Sequence, residues 1–276
     1  MRIITWNLKS ATETRKAWDY FLKLKPDIAL LQDVMNIPEN IRRIFEVKSE
    51  RALNKKGGKQ KFSTAILVKG KIISPLPLFS KLQWVNKELK LFEGNLVCCV
   101  AKIPGYPPLN IISVYSPAWP VDPERLEGIN VSAFTDGYNE VWMTELLQDA
   151  LENAKISRDT QWVVGGDYNS SETFDAAWQD AHKKRFPLRY SDNGNKETFD
   201  LMKKLGFKEC LRDYNEKIIP TYKHTDKTIN HQIDHLFVTN KLYSKIKGCS
   251  VGDKSVVFRK YLSDHLPIIA DFKQWK

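Results

Sequence analysis

Short apolar runs that break off at a polar residue recur along the whole chain, and they constrain its fold more than any other feature. Arg2–Leu8 (RIITWNL), Asp27–Val34 (DIALLQDV), Phe62–Lys69 (FSTAILVK) and Asn95–Ile103 (NLVCCVAKI) lie in the first half. Leu109–Ser116 (LNIISVYS), Thr160–Asn169 (TQWVVGGDYN), Gln232–Asn240 (QIDHLFVTN) and Leu266–Phe272 (LPIIADF) follow. Runs of this length, rich in β-branched and aromatic residues and bounded by Gly, Pro or Asn, predict β-strands. Helical spacing appears between several of them. Thr12–Lys25 places Ala17, Tyr20, Phe21 and Leu24 on one face, with Pro26 beyond its end. Asn139–Lys155 spaces Val141, Trp142, Leu146 and Ala150 likewise, and Lys196–Phe207 does so with Phe199, Met202 and Leu205 before a capping Gly206. The pattern is that of an α/β protein.

At 276 residues, with 42% hydrophobic and 28% charged, the chain has the side chains for a large core. Neither a compositional break nor an internal repeat divides it, so residues 1–276 read as one domain. Forty-three Lys and Arg against 33 Asp and Glu give a net charge of +10, which suits a polyanionic partner such as nucleic acid. Cys98, Cys99, Cys210 and Cys249 have no metal-ligand spacing and read as small buried hydrophobes in a reducing compartment. Met1 leads straight into the first strand, and no apolar run approaches the roughly 18 residues of a membrane span. The expectation is an intracellular, cytoplasmic protein without stable membrane association. Two irregular stretches stand out: the basic, glycine-hinged Leu53–Lys61 (LNKKGGKQK), and the Pro- and Gly-rich Ser116–Gly137, expected to lie outside the core.

Polar residues mark the strand ends. Asn7 closes the first run, Asp33 the second and Tyr115 the fifth; Asp167 and Asn169 end the sixth, Asp234 opens the seventh, and Asp264 and His265 precede the last. Taken singly, each has an ordinary explanation: a turn at Asn7, an Asx turn at Asp167, a satisfied rim histidine at His265. Their recurrence at strand ends points to one rim on an α/β scaffold, where sites are commonly built.

The ordered set TWNL, LLQD, SVYSP, GGDYN, HQIDHLFV and SDHLPI resembles the endonuclease/exonuclease/phosphatase superfamily, the resemblance running from Asn7 to Ile268. That superfamily includes deoxyribonuclease I, exonuclease III-type abasic-site endonucleases, sphingomyelinases, inositol polyphosphate 5-phosphatases and deadenylases. The resemblance implies a four-layered α/β sandwich: two packed, mostly antiparallel β-sheets flanked by helices, with the site at one end. It implies a Mg²⁺ or Mn²⁺ site at Asp33, Asn7 and Asp264, since these hard oxygen donors suit such ions. His265 matches the histidine that donates to a phosphate oxygen or handles a proton, and Asp234 the carboxylate that orients it. Asp167 matches the acid that positions the attacking water, Asn169 an amide that stabilises the transferred phosphoryl group, and Tyr115 a phosphate-contacting tyrosine.

The chain departs from the family pattern at defined positions. The second motif is Gln32-Asp33 where Gln-Glu is usual, so the acid is one methylene shorter. Met35, Ala118 and Gln232 stand where exonuclease III-like members carry lysine, asparagine and arginine, and the Trp-Cys-Asp-Arg run of inositol 5-phosphatases is absent. The resemblance therefore assigns the superfamily and no subfamily. The expected function is a Mg²⁺-dependent nuclease acting on DNA. Lys55, Lys56, Lys59 and Lys61 would contact phosphates, and aromatic loops bearing Trp119 (PAWPV), FTDGY and His224 (TYKH) would meet bases. The alternatives are a lipid or small-phosphoester hydrolase on the same fold, and a non-catalytic nucleic-acid-binding homologue.

Overall fold

Backbone pairing gathers the strands into two six-stranded sheets. The computed structural model describes residues 1–132, 134, 140–154, 160–174, 194–225 and 227–275, with the side chains of 194–197 excepted. One sheet contains β1 (Arg2–Ala11), β2 (Ile28–Val34), β3 (Glu46–Leu53), β4 (Lys59–Val68), β11 (Ile246–Val251) and β12 (Ile268–Phe272), in the order β11-β12-β1-β2-β4-β3. The other contains β5 (Lys71–Pro75), β6 (Leu96–Lys102), β7 (Leu109–Tyr115), β8 (Gln161–Asp167), β9 (Phe207–Glu209) and β10 (Asp234–Thr239), in the order β5-β6-β7-β8-β10-β9. β1 with β2 and β7 with β8 are parallel; every other pair is antiparallel. The expected four-layered sandwich is the observed one.

Strand alternation explains the layers. Successive side chains point to opposite faces, and the central strands are covered on both. Ile3, Ile28, Leu30 and Ile66 from one sheet meet Val97, Cys99, Ile111, Val163 and Leu236 from the other in the layer between them. The alternate set Ile4, Trp6, Ala29, Leu31 and Leu67 faces outward, under Trp18 and Phe21 of the helix Ala17–Leu24. On the far side, Ile112, Val114, Trp162, Val164 and Phe237 are covered by the helices Gln83–Leu91, Met143–Asn153 and Gly194–Lys204.

Two expectations change in detail. Residues 12–16 form turns ahead of the first helix, which begins at Ala17. The stretch from Ser116 was expected outside the core, yet Val121, Leu126 and Val131 are buried in the outer cluster of the second sheet, and Phe134 packs edge-on against Trp84 at 4.9 Å. Its apolar residues are spaced too irregularly to read as an element, but each lands on the same helical layer. Residues 135–138 of the FTDGY segment lie outside the described residues. The cysteines are all free and buried, as expected. Among the described residues, no helix is long and apolar enough to cross a membrane.

Topology brings the polar strand ends together. β1, β2, β7 and β8 run toward one end of the sandwich, and the antiparallel β10 and β12 start from it. Register then places Tyr115 beside Asp167, Asp167 beside Asp234, and Asn7 beside Gln32. The two glycines before Asp167 have separate reasons. A Cβ at Gly165 would press on Leu236 and Leu30 between the sheets, and one at Gly166 would fall 1.8 Å from the Val114 carbonyl oxygen on the neighbouring strand. Gly166→Ala should therefore destabilise the fold by about 3 kcal/mol or more, the upper range for overpacking against an unyielding backbone. Urea unfolding checks this; an unchanged midpoint would show that β7 and β8 can separate at little cost.

Candidate active site

The centre of the polar end is an imidazole held between carboxylates. His265 Nδ1 lies 2.9 and 3.1 Å from the two oxygens of Asp234, a residue with no solvent exposure. The His265 backbone is pinned as well: Trp6 Nε1 donates to its carbonyl at 2.8 Å, and its N–H donates to Ser263 Oγ at 3.1 Å. Thr221 braces the pair from behind. Its hydroxyl accepts from the N–H groups of Ile233 and Asp234, and its carbonyl accepts from Leu266 N–H. The Tyr222 ring lies 4.9 Å from the imidazole.

Burial lowers the affinity of the His265 ring for a proton, but Asp234, Asp167 and Asp264 outweigh it and hold the pKa up to about 9. The ring is thus an imidazolium at neutral pH. Its Nε2 stands 4.0 Å from Asp167 Oδ2 and 4.0 Å from Asp264 Oδ1, too far for a direct hydrogen bond to either. The Nε2 proton is therefore directed into the space between two acids, where the oxygen of a bound anion can accept it.

Asp167 is the second buried acid. Asn7 Nδ2 donates to its Oδ2 at 2.9 Å and Asn169 N–H to its Oδ1 at 2.9 Å, so both oxygens are oriented. Burial raises its pKa; His265 opposes this and Asp234 adds to it, for a net value of about 6. That is a carboxylate poised to take a proton near neutrality. Asn169 has a left-handed backbone (φ 48°), and its amide donates to the Ser116 carbonyl at 2.7 Å. Tyr115, edge-on to Phe62 at 5.2 Å, has its pKa pushed well up, by burial first and then by Asp167 and Asp33. It stays a neutral hydroxyl donor.

Asp33 and Asp264 form the outer acidic edge. Asp33 sits where β2 slips register against β4, in left-handed conformation (φ 53°), and Ser10 Oγ donates to its Oδ1 at 2.8 Å. Burial raises the Asp33 pKa, Ser10 lowers it, and Asp264 raises it again, so the two carboxylates feel one another. Asn7 Oδ1 faces the same edge and accepts from Lys9 N–H at 2.9 Å. These hard oxygens fit a magnesium-sized cation, and a cation already marks the place: Lys9 Nζ lies 2.7 Å from Asp264 Oδ2. Asp167, Asp234 and His265 also offer ligand atoms within 4.8 Å of one another. Geometry alone would admit an ion there. An ion there would have to displace the proton that these carboxylates hold on the ring.

The remaining sequence-predicted residues surround this centre. β4 runs antiparallel to β2, so its first residues and the hairpin before it overhang the rim, carrying Lys55, Lys56, Lys59 and Lys61, all exposed. Trp119 is half-buried on the segment leaving β7 at this end. His224 is exposed, 6.1 Å from the Tyr222 ring. Sequence reasoning gave no individual role to Lys9, Ser10, Thr221, Tyr222 or Ser263, although Thr221 and Tyr222 lie in the TYKH loop and Ser263 opens the SDHLPI motif. Lys9 and Ser10 carry one available signal, their place just after Asn7.

No family model matches the chain, and no curated protein matches it in sequence. Solved structures do. An AP endonuclease from Archaeoglobus fulgidus is similar at 20% identity and TM-score 0.69, covering 99% of both chains. The catalytic domain of Xenopus laevis APE2 is similar at 16% identity and TM-score 0.65, over 99% of this chain and 92% of that one. The 3′ phosphatase NExo from Neisseria, bound to a product DNA hairpin, is similar at 19% identity and TM-score 0.61 over 99% of both. These likenesses establish the fold.

In metal-free protein, the His265 imidazole should titrate near 9 by NMR, well above its ordinary 6.5. Asp234→Asn should lower that value by removing the nearest negative charge. Because the folded value lies above the unfolded one, the pair's stabilisation is complete below about 6.5 and fades as pH rises through about 9. A ring that titrates at 6.5 or below in the intact protein would show that the carboxylates do not hold it charged.

Proposed function

We propose that this chain, which carries the endonuclease/exonuclease/phosphatase fold, is a hydrolase of phosphodiester bonds in nucleic acid, with DNA the expected substrate. The observation that carries the reading is the buried His265, held charged by Asp234, with its free Nε2 proton facing the Asp167–Asp264 opening. A phosphodiester anion is the ligand for which a fixed donor beside a proton-accepting acid is complementary. The neighbours' printed activities, AP endonuclease and 3′ phosphatase, support the same class of chemistry.

In this reading Asp167 orients the attacking water and accepts its proton, while Asn7 and Asn169 keep both carboxylate oxygens aimed. His265 donates from Nε2 to a phosphate oxygen as charge develops, and Asp234 holds the ring in the tautomer and charge state that this requires. Tyr115, kept protonated, and the Asn169 amide supply further donors. Asp33, Asp264 and Asn7 would hold Mg²⁺ or Mn²⁺, which when bound neutralises phosphate charge. The lysine hairpin above the rim favours a long polyanion over a small phosphoester, because it sits beyond the reacting centre, where neighbouring phosphates would run.

The experiment is a substrate panel of abasic duplex, plain duplex, single-stranded DNA, RNA and a chromogenic diester, with and without Mg²⁺ or Mn²⁺. Cleavage should vanish on chelation and return with metal; activity that survives exhaustive chelation would sink the reading. His265→Ala should cost roughly 10²–10⁴-fold in turnover. Asp234→Asn should impair the same step, and the double variant should lose far less than the product of the two. Neutralising Lys55, Lys56, Lys59 and Lys61 together should weaken DNA binding and flatten its dependence on salt, the slope changing by about 0.9 for each phosphate that the lysines had neutralised. A slope unchanged in that variant would remove the hairpin from the binding surface.

A further inference from the structure

The segment after Asn7 brings a cation to the acidic edge, and its backbone is built to do so. Lys9 and Ser10 are both left-handed (φ 48° and 54°), where β1 slips register against β2 between Asn7 and Ala11. Non-glycine residues adopt this conformation only when the surroundings impose it. Here Lys9 N–H donates to Asn7 Oδ1, the Arg15 guanidinium donates to the Lys9 carbonyl, and Ser10 Oγ donates to Asp33 Oδ1. With the backbone so fixed, the Lys9 ammonium reaches Asp264 Oδ2 at 2.7 Å. Three polar contacts from this one bulge thus fall on Asn7, Asp33 and Asp264, the residues suited to hold a divalent ion.

We infer that Lys9 is a resident counter-cation of this edge, which competes with a divalent metal for Asp264. The inference rests on the proposed metal site. The Lys9 ammonium on Asp264 Oδ2 repels a divalent ion that approaches the same carboxylate, so the metal binds at full strength only when the lysine moves aside. Lys9 is more than half exposed, so the pair is screened and the lysine can swing away. It lowers metal affinity without blocking the site. A displaced Lys9 would remain at the rim, within reach of the phosphate that accompanies the metal.

The test is calorimetric titration of MnCl₂ into substrate-free protein, comparing wild type with Lys9→Met and Lys9→Arg. Methionine is unbranched and of similar length, so it keeps the packing and adds no oxygen ligand. Lys9→Met should bind Mn²⁺ about tenfold tighter, the gain expected from removing one screened like charge near the ion. Lys9→Arg should stay near wild type. Thermal melts without metal establish that the variants are folded. Equal Mn²⁺ affinity in wild type and Lys9→Met would overturn the role of Lys9 and leave the metal site standing. Absence of Mn²⁺ binding in both would overturn the metal site, and this inference with it.

Discussion

Two sheets packed face to face admit one row of side chains per strand into the layer between them, and everything else in this protein is arranged around that layer. Along β1 the inward row reads Ile3, Thr5, Asn7; along β8 it reads Gln161, Val163, Gly165, Asp167. The apolar middle holds the sheets together. At one end, the inward positions of several strands turn polar at once: Asn7, Gln32, Ser113, Tyr115, Asp167 and Asp234. A sandwich can keep such residues at its rim because strand pairing has already satisfied their backbones, leaving side chains free to converge.

Convergence in a buried place carries an electrostatic cost that sets the chemistry. Asp234 and Asp167 are almost wholly buried, and unpaired carboxylates there would be untenable. The imidazolium between them is the resolution, and losing one partner of such a pair costs roughly 3–5 kcal/mol. The same compromise makes the groups useful. His265 is held charged because it faces three acids, and Asp167 is pushed toward neutrality because it is buried. A donor and an acceptor therefore coexist within 4.0 Å of one another.

Part of the backbone strain lies at the same end. Lys9, Ser10, Asp33 and Asn169 are left-handed without being glycine and belong to or adjoin the cluster, whereas Lys25 and Glu216 are left-handed as helix C-caps elsewhere. The register slips in β1 and β2 re-aim Asp33 and the Lys9–Ser10 pair, which a regular strand would have pointed alternately into core and solvent. Asp33 is one methylene shorter than the glutamate of the related pattern. It sits in the bulge of β2, with Ser10 Oγ donating to its Oδ1.

The central strands were legible in the sequence, and so were the polar residues at their ends. Every run read as a strand is an interior strand, because burial on both faces demands a near-continuous apolar string. The strands that sequence reasoning passed over, β3, β5, β9 and β11, are the sheet edges. There one side faces water and the string is diluted, as in Glu46, Lys48, Glu50 and Arg51 of β3. Acid, amide and imidazole at strand ends could likewise be picked out, since local pattern marks where a strand stops. Which of them touch was decided by tertiary structure alone. Asp234 on His265, Asn7 on Asp167, Lys9 on Asp264 and Thr221 behind them are contacts between different segments, most of them distant in the chain. They follow from strand order, register and the bulges, and no periodicity in the sequence encodes those directly.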